Sequence, residues 1–70
     1  MPAPLTDFQN HLIQLRRIHK KTQAEIAELA ELEYKHYQDV ESGRRKDPQL
    51  STLRKIAKAY GIELWELLKF

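Results

Sequence analysis

Apolar residues recur every three or four positions in five separate stretches of the chain, and none of these stretches has the two-residue alternation of a β-strand. At the first stretch, Thr6 or Asp7 can cap a helix, because short polar side chains accept hydrogen bonds from the first backbone N–H groups. The spacing predicts that this helix runs to about Lys20. Its apolar positions are Phe8, Leu12, Leu15 and Ile18.

The second and third helices are predicted on either side of a short turn. Thr22, followed three residues later by Glu25, forms a capping-box sequence that marks the start of a short helix. The third helix is predicted over residues 34–42, because Gly43 can take the left-handed conformation that closes a helix. The apolar residues of this region are Ile26, Ala27, Leu29, Ala30, Leu32, Tyr37 and Val40.

Two further helices are predicted after a polar stretch that ends at Pro48. The fourth begins near Leu50 and stops at Gly61, and the fifth covers residues 63–69. Trp65 and its apolar neighbours are expected to complete the core, with a dimer seam as the alternative for this ridge. These neighbours are Leu64, Leu67, Leu68 and Phe70.

The length and composition limit what the chain can be. Seventy residues are close to the size at which one hydrophobic core only just offsets chain entropy, so a single domain over residues 1–70 is expected, with residues 1–5 as an extended arm. The absence of cysteine excludes disulfides and thiolate metal sites. Because no apolar run reaches about 18 residues and the start lacks a signal peptide, we expect a cytoplasmic protein without a membrane partner.

Charge is distributed unevenly along the chain, although the net charge is only +2. Residues 23–41 carry six carboxylates against Lys35, whereas residues 42–58 carry six basic side chains against Asp47. Such alternation is typical of ordinary solvated helix faces, so charge alone does not indicate nucleic-acid binding.

The segment from Thr22 to Leu53 resembles the helix-turn-helix unit of the phage repressor/Cro-like (Xre-type) DNA-binding family. Ala27 supplies the small residue that two steeply crossing helices need, and Thr22-Gln23 stands at the start of the second helix as in the family. The spacing from Ala27 to Glu41 and Gly43 agrees with the family pattern without insertion or deletion. The resemblance implies an all-α, compact five-helix domain with the helix-turn-helix at helices 2 and 3.

The resemblance also implies that the third helix enters the major groove of double-stranded DNA. The residues at base-reading positions are Tyr34, Lys35 and Asp39, with Gln38 as a further candidate. Lys35 can donate to guanine, Asp39 can accept from the amino group of cytosine, and Tyr34 can contact a thymine methyl or a phosphate. The residues at phosphate-contacting positions are Thr22, Gln23, Ser42, Arg44, Arg45 and Lys46.

Arg16 and Glu41 match a pair of residues that forms an inward ion pair in many relatives, and the same pair is expected here. The chain departs from the family pattern at three places. Lys20 stands where the family commonly has glycine and Lys21 where it has an apolar residue, so the corner after the first helix is more polar than usual. Glu31 replaces the usual glycine of the turn after the second helix, where a non-glycine residue in a left-handed conformation costs on the order of 1 kcal/mol. Glu33 occupies the position of the usual Ser or Thr cap of the third helix, where a carboxylate can still cap and favours the helix dipole.

Catalysis has little support in the sequence. His11, His19 and His36 lack the three- or four-residue spacing of a metal-binding pair, and neither serine has an evident base. We therefore expect a small transcriptional regulator without enzyme activity, cofactor, metal or small-molecule ligand, with homodimerisation left open. The alternative from another class is an antitoxin-like or adaptor module whose acidic face binds a protein.

Overall fold

Five helices and no strand make up the computed structural model over the residues that it describes, 6–45 and 47–70. The all-α, five-helix prediction is confirmed. The expected arm at residues 1–5 lies outside the described residues, and so does Lys46. The helices are α1 (Asp7–Ile18), α2 (Gln23–Leu29), α3 (Tyr34–Ser42), α4 (Leu50–Tyr60) and α5 (Leu64–Leu67).

Reciprocal side-chain caps start α1 and α2. The backbone N–H of Glu25 donates to Thr22 Oγ1 at 3.1 Å, and the Thr22 N–H donates to Glu25 Oε1 at 2.9 Å. At α1 the cap is Thr6, whose hydroxyl accepts from the Gln9 N–H at 3.3 Å while Gln9 Oε1 accepts from the Thr6 N–H at 2.8 Å. Each capping box satisfies N–H groups that have no partner inside the helix.

Left-handed residues end α1, α2 and α4. After α1, Lys20 has φ +53°, and the N–H of Lys21 donates to the Arg16 carbonyl at 3.0 Å. The ends of α2 and α4 have the same hydrogen bond, from a backbone N–H to the carbonyl five residues earlier. The left-handed residue is Glu31 (φ +56°) after α2 and Gly61 (φ +69°) after α4. The prediction that α1 extends to Lys20 is therefore wrong, because the reversal at Lys20 stops the helix at Ile18.

The third helix has the predicted bounds and the predicted cap residue. Glu33 stands at the N-cap of α3 in an extended conformation, but its carboxylate does not accept a capping hydrogen bond. At the other end, Gly43 takes φ +85° as predicted. A β-carbon added to Gly43 would also lie 3.3 Å from the buried side chain of Gln9. Glycine is therefore favoured at this position both by the positive φ and by the close approach of Gln9.

The core lies where α3 packs against α1 and α2 while α4 packs against α2 and α5. Tyr37, one of the apolar residues of the predicted third helix, is fully buried in this core. Ala27 is also buried and lies in α2, which packs against both α3 and α4. The buried apolar residues are Leu12, Ile26, Ala27, Ala30, Tyr37, Val40, Ile56, Ala57, Tyr60 and Leu67.

The fifth helix is shorter than expected and contributes less to the core. It ends at Leu67 rather than Lys69, and the ring of Phe70 lies 5.5 Å from that of Phe8. Leu67 is buried, but 63% of Trp65 and 62% of Phe70 are exposed, so the expectation that Trp65 completes the core is wrong. None of the described helices is both long and apolar enough to cross a membrane.

Candidate nucleic-acid interface

Arg16 and Glu41 form a two-pronged ion pair between α1 and α3. Arg16 Nη2 lies 2.8 Å from Glu41 Oε1, and Arg16 Nε donates to Glu41 Oε2 at 3.1 Å. The third nitrogen, Nη1, donates to the carbonyl of Lys21 at 3.3 Å. The Glu41 side chain is only 4% exposed, and its hydrogen bond raises the pKa of Arg16 above the ordinary value. One guanidinium therefore joins α1, α3 and the corner that leads into α2.

Two glutamines extend this ion pair toward the exposed face of α3. Gln23, the first residue of α2, donates from Nε2 to Glu41 Oε1 at 3.3 Å. Gln38 Nε2 in turn donates to Gln23 Oε1 at 3.4 Å. The sequence assigned Gln23 to phosphate and Gln38 to a base, but their link was not predicted. It arises because the crossing of α2 and α3 brings together two residues that are 15 positions apart.

Polar side chains from both helices line one shallow hollow of about 180 Å³. Gln23, Gln38, Asp39, Ser42 and Arg44 form its walls. Asp39 Oδ1 lies 4.0 Å from Arg44 Nη1, while the Asp39 carbonyl accepts from the Arg45 N–H at 3.1 Å. The structure thus brings together predicted base-reading residues and predicted phosphate-contacting residues. The Arg44 guanidinium makes this approach to Asp39 from an exposed position, since 75% of its side chain is accessible to solvent.

Two other predicted base-reading residues lie at the start of α3. Tyr34 is the first residue of the helix and is 48% exposed, and Lys35 beside it is exposed. Thr22 stands at the N-cap of α2, where its oxygen accepts from Glu25 and its own O–H remains available as a donor. Lys46, the last of the predicted phosphate contacts, falls in the undescribed gap at position 46.

Acidic side chains flank the same surface at the turn between α2 and α3. Glu31 and Glu33 are both exposed, and Glu33 directly precedes Tyr34. Their carboxylates would repel a nearby polyanion, and this repulsion is strongest at low ionic strength. The site therefore combines the basic residues that follow α3 with acidic residues that precede it.

Three buried polar atoms were not anticipated from the sequence. Within the described residues, His11 Nε2 and the hydroxyls of Tyr37 and Tyr60 have no hydrogen-bond partner. The two hydroxyls nevertheless lie near each other and near Glu41, so the groups interact electrostatically. No three His, Cys, Asp or Glu residues in the described ranges gather closely enough to hold a metal ion.

The fold and this polar surface define a helix-turn-helix DNA-binding domain. The sequence matches the helix-turn-helix family over residues 12–67, which is most of the chain. The chain belongs to this family, in the Cro/C1-type, Xre-like class. Comparison with curated protein sequences gave no significant match.

Proposed function

We propose that this domain binds specific sequences of double-stranded DNA and acts as a small transcriptional regulator. The observation that carries the proposal is the hydrogen-bonded series from Arg16 through Glu41 and Gln23 to Gln38. It fixes a polar face of α3 relative to α2, and a helix-turn-helix needs such a fixed face because the second helix enters the major groove.

Reading of the base sequence is assigned to the exposed residues of α3. Lys35 is a donor suited to guanine, and the amide of Gln38 can both donate to and accept from adenine. Tyr34 offers an apolar ring for a thymine methyl, while Asp39 can accept from cytosine once Arg44 turns toward the phosphates. Because Gln38 is already held by Gln23, its amide is oriented before DNA arrives.

Non-specific affinity is assigned to the residues around and after the end of α3. Arg44 and Arg45 are exposed, and the sequence adds Lys46; Thr22, Gln23 and Ser42 supply neutral hydrogen bonds to phosphate. Each phosphate neutralised by a cation contributes about −0.9 to the slope of log affinity against log salt. The exposed Glu31 and Glu33 act in the opposite direction and lower the affinity.

The proposal gives the chain no catalytic step, no cofactor and no small-molecule ligand. A regulator must reach the compartment that holds DNA, so we place it in the cytoplasm. We further propose that it works as a homodimer on two-fold DNA sites, in which half-sites are about 34 Å apart along the duplex.

A salt-titrated binding assay tests the proposal. The wild-type chain should bind duplexes selected from a random pool with an affinity that falls steeply as salt rises. Joint replacement of Arg44, Arg45 and Lys46 by Ala should weaken binding to all duplexes alike and reduce the magnitude of the salt slope by about 0.9 for each phosphate that is no longer neutralised. Lys55→Ala, which removes one exposed charge from α4, serves as the control and should change affinity less than about twofold, as expected for a charge outside the interface.

Two results would contradict the proposal. The first is a wild-type chain that shows no salt-sensitive affinity for any duplex near physiological ionic strength. The second is a loss confined to one DNA sequence in the triple variant, because residues that contact only phosphates carry no sequence information directly.

A second candidate function is supported by one other surface. Leu29 is 54% exposed on α2, beside Glu25, Glu28 and Lys21. An exposed leucine among carboxylates is compatible with a basic protein partner, which corresponds to the interaction-module alternative. Leu29→Ser should weaken binding of such a protein partner but leave DNA binding unchanged, so this variant separates the two functions.

A further inference from the structure

A positively charged corner joins α1 to α2, directly before the first residues assigned to DNA. Arg17, Lys20 and Lys21 carry its charge, and all three are exposed. Lys21 lines a hollow together with Glu25 and Glu28, so its charge lies beside carboxylates. Among the described residues, by contrast, no carboxylate lies within ion-pair distance of Arg17 or Lys20. The corner therefore presents two cations without an anionic partner in the described part of the chain.

Lys20 occupies this position at a cost to stability. Its φ of +53° is close to the +69° of Gly61, which follows α4 in the same way. Glycine adopts such a conformation without strain, whereas a residue with a β-carbon does not. Residues held in strained backbone conformations cluster at sites that bind ligands. An exposed cation in such a conformation, with no ion pair to offset the strain, is therefore a candidate for contact with a partner outside the domain.

The corner is fixed relative to the DNA-binding face of α3. Arg16 Nη1 donates to the Lys21 carbonyl at 3.3 Å, and the Lys21 N–H donates back to the Arg16 carbonyl at 3.0 Å. Glu41, which pairs with Arg16, also accepts from Gln23 Nε2 at 3.3 Å. One guanidinium thus joins the backbone of the corner to the residues that hold the polar face of α3, so both parts are presented to a partner together.

We propose that Lys20 binds a phosphate of the DNA backbone next to the phosphate assigned to Thr22. The α-carbons of these two residues are at most about 7 Å apart, because two residues span no more than that distance. Successive phosphates of one strand are about 3.4 Å apart along the duplex axis, so the two side chains can contact neighbouring phosphates. The lysine ammonium is a compact charge on a flexible stem, which suits it to this contact. The inference rests on the proposed function and extends it to the α1–α2 corner.

Three substitutions at position 20 separate charge from backbone strain. Lys20→Gly removes both, so it should raise the urea midpoint of unfolding and weaken DNA binding. Lys20→Ala removes the charge but keeps a β-carbon, so it should weaken DNA binding equally, with a midpoint below that of the glycine variant. Lys20→Arg keeps the charge and should bind DNA with nearly wild-type affinity.

The loss of DNA affinity should have the size of one phosphate contact. Lys20→Ala should reduce the magnitude of the slope of log affinity against log salt by about 0.9. Because this contribution vanishes near about 1 M salt, the affinity at about 0.15 M salt should fall about fivefold. The loss should be the same for selected and unrelated duplexes, since a phosphate contact carries no sequence information directly. The control Lys55→Ala, in α4, should change affinity less than about twofold.

Duplexes that carry a single neutral methylphosphonate test for direct contact. A scan of this replacement along both strands should find one position that weakens wild type about fivefold but weakens Lys20→Ala no further. Such non-additivity indicates that the lysine and that phosphate interact. If every methylphosphonate weakens the two proteins by the same factor, Lys20 does not contact the backbone and the proposal is overturned.

The outcomes also separate this inference from the proposed function. Wild type that binds DNA through Arg44 and Arg45, while Lys20→Ala keeps both its affinity and its salt slope, overturns only the contact of Lys20. Wild type without salt-sensitive affinity for any duplex overturns the proposed function and the contact together. Circular dichroism verifies that each variant is folded. If only the folded glycine variant loses affinity, the loss follows the backbone rather than the charge, and the contact is again overturned.

Discussion

Lys20 and Glu31 occupy positions where the backbone itself favours glycine. Their φ values of +53° and +56° are close to the +69° of Gly61, which ends α4 in the same way. A side chain with a β-carbon costs on the order of 1 kcal/mol in this region relative to glycine. The chain thus has three similar helix ends, and two of them carry a charged residue instead of glycine.

Glu31 allows backbone strain and charge to be measured separately. Glu31→Gly should raise the free energy of unfolding by about 1 kcal/mol relative to Glu31→Ala, because only glycine relieves the left-handed strain. Both variants should raise DNA affinity by a similar factor, since both remove the same carboxylate. Urea denaturation and a salt-titrated binding assay measure the two effects. If alanine stabilises the domain as much as glycine does, the charge of Glu31 rather than its backbone strain limits stability at this turn.

The Arg16–Glu41 pair connects α1, α3 and the entrance to α2. Glu41→Gln keeps the shape of the side chain but leaves the Arg16 guanidinium, whose side chain is 22% exposed, beside a neutral group. Loss of one partner of a buried pair typically costs about 3–5 kcal/mol, and we expect about 3 kcal/mol because Arg16 is partly exposed.

Chemical denaturation measures this loss of stability, with Glu28→Gln as the control. Glu28 is an exposed carboxylate on α2, so its replacement should change the free energy of unfolding by less than about 0.5 kcal/mol. Equal and small effects of the two substitutions would show that the pair does not hold the helices together.

The helices themselves could be predicted because their start and stop signals are local. Thr22 with Glu25 and the glycines at 43 and 61 act within one turn of the residues that they cap. The exposure of Trp65 could not be predicted, because a helix as short as α5 has too few apolar positions to show which of them face the core. The link between Gln23 and Gln38 depends on how α2 and α3 cross, and no local pattern encodes that geometry.

Two buried tyrosines make the stability of the whole domain depend on pH in the alkaline range. Burial raises the pKa of Tyr37 and Tyr60 above the ordinary value of 10.0, and the nearby Glu41 carboxylate adds to the shift. Their hydroxyls release protons more readily in the unfolded chain. The resulting stability is therefore complete below about pH 10 and is lost as the pH rises above it.

Tyr37→Phe tests this dependence. It removes a hydroxyl that has no hydrogen-bond partner among the described residues, so stability at pH 7 should change by less than about 1 kcal/mol. Above pH 10 the variant should lose stability less steeply than wild type, by about 1.4 kcal/mol per pH unit. Unfolding by urea between pH 8 and about pH 11.5 measures the difference, and parallel curves for the two proteins would contradict it.

Part of the acidic segment of the sequence lies apart from the basic residues that follow α3. The carboxylates Glu25 and Glu28 lie with Leu29 on α2, whereas Arg44 and Arg45 follow α3. The near-neutral total charge of +2 conceals this separation. Net charge is therefore a poor guide to what such a small domain binds, because partners respond to the local field.

The three-way contacts of Arg16 also affect the entropy of binding. Because one buried ion pair holds α3 against α1 and the entrance to α2, α3 cannot loosen without breaking the core of the domain. The backbone of α3 and the amide of Gln38 are therefore held in place before any partner arrives. A preordered surface avoids the loss of about 0.5–1.5 kcal/mol for each side chain that would otherwise be immobilised on binding. Fewer contacts with a partner are then needed to offset the entropy lost on binding, so the individual contacts can be weak.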